Sequence, residues 1–119
     1  MDVLSIAEEI QKKINEIEEI RKAIKVRGMA KAAAISDYEK SITLALFDLK
    51  NGVEIELEGR KIKNPPASIM DKLVRGICWQ AKLAMEEAEA AYKSAVTNLD
   101  AVCAQLNAYQ SLNRYLDRA

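Results

Sequence analysis

The sequence predicts a mainly α-helical protein: a long antiparallel two-helix hairpin with a short β-hairpin at the connection, assembling into an oligomeric helical bundle. Three observations carry that expectation. Gly and Pro are sparse, at four and two of 119 residues, while Ala, Leu, Ile, Glu and Lys dominate. Apolar residues recur at alternating spacings of three and four over two long stretches. Between them lies a short segment of period two, centred on Glu58-Gly59.

The first helix is expected over residues 3–50. Ser5-Ile6-Ala7-Glu8 fits a capping box near its start. Its seam runs Val3, Ala7, Ile10, Ile14, Ile17, Arg21, Ile24, Gly28, Lys31, Ile35, Tyr38, Ile42, Ala45, Leu49. The phase persists through Gly28, which predicts one helix of about 46 residues, with a kink near Gly28 left open. Asn51-Gly52 is the expected C-terminal stop.

Residues 53–63 read as a hairpin. Val53 to Leu57 alternate, Glu58-Gly59 forms a tight turn, and Arg60 to Lys63 return. Pairing across the turn sets Glu56 against Lys61, Glu54 against Lys63, and Ile55 beside Ile62. So short a hairpin needs a surface to rest on.

The second helix is expected over 65–117, with Asn64 as N-cap and Pro65 at its first position. Its seam is Ala81, Met85, Ala88, Tyr92, Ala95, Leu99, Val102, Leu106, Tyr109, Asn113, Leu116. Two helices of matched length predict a single-domain hairpin roughly 70–78 Å long. Residue i should then lie near residue 115 minus i. That register sets the basic segment 21–31 against Glu86, Glu87 and Glu89. Ala84, Ala91, Cys103, Ile77, Leu73, Leu44 and Phe47 fall off the seam and predict contact with another chain, most simply in a dimeric four-helix bundle.

Composition excludes several function classes. Eighteen basic and eighteen acidic residues leave no net charge to draw the chain to DNA or an anionic membrane. No apolar run is long enough to span a bilayer, no signal peptide is recognisable, and a cytoplasmic location is expected. Cys78 and Cys103, on one helix and roughly 37 Å apart at 1.5 Å per residue, read as small thiols rather than a disulfide. His is absent, which removes the commonest general base and metal ligand. No nucleophile elbow, P-loop or metal-spacing motif occurs, so neither enzyme activity, cofactor nor metal is expected.

Two constellations remain as candidate ligand sites. Lys72, Arg75, Trp79 and Lys82 share one helical face, with Arg60 from the hairpin adding to the local basic excess. A Trp among cations suits a nucleotide, with phosphate on Arg and Lys and a base stacked on the ring. The alternative is that Trp79 plugs the core beneath the hairpin, with Arg75 stacked over it. Toward the C-terminus, Asn107, Gln110 and Arg114 share a face with Arg118, and Asn113 sits in the seam. Amides offer both donors and acceptors to a ligand. A seam Asn equally serves to specify register or oligomeric state.

Asn51-Gly52, the hairpin, Arg75-Gly76-Ile77-Cys78-Trp79 and the run from Ala104 to Leu116 (AQLNAYQSLNRYL) resemble small helical proteins of phages and prophages of Gram-positive bacteria, of the accessory or early-region type. The resemblance covers the whole chain and is strongest in the C-terminal run. It implies a protein made in the host cytoplasm during infection. Such proteins counter host immunity by blocking a defence protein or sequestering its nucleotide signal, or they assist phage recombination and replication. The expectation drawn here is a non-catalytic oligomer that sequesters a small nucleotide-derived signal. Alternatives are a recombination or replication accessory binding single-stranded DNA or a partner protein, and a helical scaffold or inhibitor acting on a protein. The resemblance carries over no functional residues.

Overall fold

A computed structural model describes residues 2–118. Its elements are α1 (Val3–Lys50), β1 (Ile55–Leu57), β2 (Arg60–Ile62), α2 (Ala67–Ile77) and α3 (Trp79–Arg118). The chain is thus mainly helical, with one small antiparallel sheet of two strands.

α1 runs unbroken through Gly28. Its start is set one turn earlier than the Ser5-Glu8 box suggests: the Asp2 carboxylate accepts the Ser5 N–H at 2.7 Å, so Asp2 is the capping residue. Its end is a Schellman motif, in which Val53 N–H reaches Asp48 O at 2.9 Å and Gly52 N–H reaches Leu49 O at 3.3 Å. Gly52 takes the left-handed conformation that this motif demands, with φ 76°.

The hairpin has the expected register, Ile55 with Ile62, Glu56 with Lys61 and Leu57 with Arg60. Glu58 and Gly59 both have positive φ, at 49° and 79°, as a type I′ turn requires. The expected Glu54–Lys63 pairing is replaced by a diagonal ion pair: Lys61 Nζ lies 3.9 Å from Glu54 Oε1.

The second helical stretch differs from expectation at two places. Asn64 is no N-cap; it adopts φ 48°, Pro66 precedes the first turn, and α2 begins at Ala67. The stretch is also interrupted at Cys78, which closes α2 before α3 begins at Trp79. The interruption costs little hydrogen bonding, since Cys78 N–H still meets Val74 O and Lys82 N–H still meets Cys78 O, both at 3.1 Å.

The chain divides into two compact units, one of residues 1–29 with 90–119, the other of residues 30–89. In the first, α1 and α3 pack with Ile6, Ile17, Ala95 and Val102 buried. Arg27 meets Ala91 and Gly28 meets Tyr92, while Ile20 shares a groove with Asn98, so the two segments are antiparallel. Residue 27 was expected near 88, and the observed register is displaced by about one turn. The later start at Ala67 moves it in that sense. In α1 the seam also shifts toward the N-terminus. Ile6 is buried where Val3 and Ala7 were expected, eleven residues before the buried Ile17. Eleven residues make three turns of a straight helix, whereas a heptad seam assumes a supercoil. In α3, all eleven expected seam residues are buried or half-buried.

In the second unit, Ala45, Leu49, Val74 and Cys78 form the core, with Leu49 and Val74 each 1% exposed. Ile55, Ile62, Met70 and Ile77 pack against it. The hairpin therefore rests its two isoleucines on the core beside Leu49 and Val74.

Candidate functional site

That packing decides between the two readings of Trp79. The core under the hairpin is filled by Leu49, Val74 and Cys78, and Trp79 is 44% exposed. The core-plug alternative is overturned, because the position it needed is occupied by Leu49, Val74 and Cys78, smaller side chains against which Ile55 and Ile62 pack.

Around Trp79, α2 supplies Lys72 and Arg75, and α3 supplies Lys82. All three are exposed, and none forms an ion pair or side-chain hydrogen bond among the described residues. The buried members of the same stretch, Val74 and Cys78, fix the orientation of these helices toward the core. Lys72 and Arg75, three apart on α2, and Trp79 and Lys82, three apart on α3, are all exposed. Arg60 sits on β2 opposite Leu57, next to the turn, and is also exposed and without an ion-pair partner among the described residues. An exposed indole and exposed cationic side chains thus lie close together in sequence across the end of α2 and the start of α3, the types of group that bind a base and a phosphate. The sequence neighbour of Trp79, Cys78, is buried, and that burial pushes the thiol above its ordinary 9.0, which favours the neutral form.

The C-terminal constellation belongs to the other unit. Gln110, Asn113 and Arg114 line one shallow groove, and Arg114 joins Ser111, Tyr115 and Arg118 in a second. Arg114 Nη2 donates to Ser111 Oγ at 3.4 Å. Asn113 is half-buried in the seam, as its position predicts, while Asn107 is exposed and lines neither groove. The expected ligand residues thus separate into two groups, one in each unit.

A further groove, of about 610 Å³, was not anticipated. Arg27, Ser94, Thr97 and Asn98 stand over a floor that includes Ile20 and Ala95. The basic segment 21–31 was expected to pair with glutamates of 84–94. Within that segment Arg27 Nη1 donates to Ala91 O at 3.0 Å and Lys22 pairs with Glu19 of its own helix at 3.2 Å, while Lys31 and, in the opposing segment, Glu89 each have a partner. The signal for this groove was present as a run of small residues on α3, which leave space where larger ones would fill it.

Among the described residues, no group of three or more Cys, Asp or Glu side chains is gathered to hold a metal ion. No described helix is long and apolar enough to cross a membrane. The chain matches no family model, and no curated protein or solved structure is significantly similar to it.

Proposed function

We propose that this is a non-catalytic binding protein that holds a small, anionic, nucleotide-derived ligand on the face formed by Lys72, Arg75, Trp79 and Lys82. In the setting implied by the phage resemblance, its role is to sequester such a signal and so counter host immunity. One observation carries the reading: the only Trp of the chain is exposed among three cations that have no acidic partner among the described residues. An indole left at the surface forgoes the burial that aromatic side chains otherwise gain, which favours a ligand as its covering.

Because Trp79 is the sole Trp, its fluorescence reports on this face directly. Titration with cyclic dinucleotides and ADP-ribose-like compounds is expected to quench it saturably. Base stacking on an aromatic contributes about 1–3 kcal/mol, so Trp79→Leu should weaken calorimetric binding by about 5- to 150-fold. Arg75→Gln should weaken it by a similar or smaller factor. Absence of both quenching and heat with every such ligand sinks the proposal.

The same exposed indole and cations favour one second reading, a single-stranded oligonucleotide. That ligand would bind with an affinity that falls steeply with salt, in proportion to the phosphates contacted. A mononucleotide-sized ligand would show a much shallower slope.

A further inference from the structure

Residues 30–89 bury two large apolar side chains, Leu49 and Val74, and leave more exposed than that. Leu44 and Phe47 stand out. They are 54% and 65% exposed, lie one turn apart on α1, and face away from the core residues Ala45 and Leu49. We infer that a second copy of this chain covers the α1 face carrying Leu44 and Phe47.

The surface area argues for a partner of substantial size. The described chain exposes 8583 Å². A compact monomer of 13.3 kDa exposes roughly 6,450 Å² by the usual mass scaling. The difference, roughly 2,100 Å² per chain, is what each partner of a large obligate dimer removes from water. Charge argues for the partner being the same chain. Eighteen charges of each sign leave two copies without net repulsion. Lys40 and Asp48 lie four residues to either side of Leu44. A two-fold axis perpendicular to α1 at Leu44 runs the two helices antiparallel and sets Lys40 of one copy opposite Asp48 of the other. The face is thus self-complementary in both its apolar and its charged parts. Val26 and Met29 of the other unit, both exposed, repeat the same one-turn apolar spacing on α1.

The test is sedimentation equilibrium of the full chain at micromolar concentration. The expected mass is twice 13.3 kDa or a higher multiple. The double variant Leu44→Asp, Phe47→Asp is expected to dissociate at least tenfold more readily while keeping its helical circular dichroism. Both positions are exposed, so the monomer fold loses no core contact. A wild-type mass of one chain throughout the concentration range overturns the inference, whatever other protein then binds there. A double variant that keeps the wild-type association assigns the interface elsewhere and overturns it too. Ligand binding is read separately on Trp79, so failure of one idea leaves the other standing.

Discussion

At the scale of single residues, Asp2 shows how much a local contact settles. Its carboxylate accepts the Ser5 N–H, and that bond holds its carboxyl below the ordinary 3.8. A depressed carboxyl stabilises the folded state above its unfolded pKa and loses that contribution as acid protonates it below 3.8. The first turn of α1 is therefore expected to fray at low pH, and Asp2→Ala to fray it at neutral pH; amide exchange at residues 5 and 6 reads both. Gly28 makes a different point. A Cβ placed there would stand 3.5 Å from the Tyr92 ring, an ordinary contact. Since Gly within a helix costs about 0.5–1 kcal/mol relative to Ala, Gly28→Ala is expected to stabilise the protein by that amount. A fall in the thermal midpoint would show that Tyr92 needs the bare backbone. Cys78 and Cys103 differ in access, the first buried and the second half-buried. Cys103 is expected to react first with a disulfide reagent.

The hairpin and the helix ends belong to the scale of elements. Glu58 occupies the first central position of a type I′ turn with φ 49°, where Asn is strongly preferred. Glu58→Asn should therefore stabilise the protein by about 1 kcal/mol, the usual relief of a left-handed residue. Gly59→Ala, at φ 79°, should destabilise it. Opposite signs in urea denaturation check the pair. The hairpin was legible in the sequence because turn chemistry and period-two alternation are local. The break at Cys78 was not, since Gly76-Ile77-Cys78 contains no proline and keeps its hydrogen bonds on either side. Nor was the start at Ala67, because Asn64 can either cap a helix or adopt a left-handed turn. Here it does the latter, with Asn64 Oδ1 3.5 Å from where a Cβ on Gly52 would stand.

Over the whole molecule, the thinness of the core governs stability. Eight residues are buried, none of them polar or charged among the described residues. Leu49→Ala is expected to cost about 2–5 kcal/mol. Because Leu49 supports Ile55 and Ile62, hairpin amides should lose exchange protection along with the helices. Loss confined to α1 would show that the hairpin is held independently. The candidate site was legible in part. Lys72, Arg75, Trp79 and Lys82 were identified by helical spacing alone, but their exposure was open, since a Trp beside an apolar seam packs inward as readily as outward.

Helix content, the hairpin and its register, and the inward row of α3 were determined by the sequence, because each depends on contacts within a few residues or on a fixed helical period. Three features were decided only by the tertiary structure: the helical break, the displaced register of α1 against α3, and the outward placement of Trp79. The register depends on where α2 begins, and the placement of Trp79 on which side chains take the buried volume. Under the hairpin that volume went to Leu49 and Val74, and Trp79 was left at the surface.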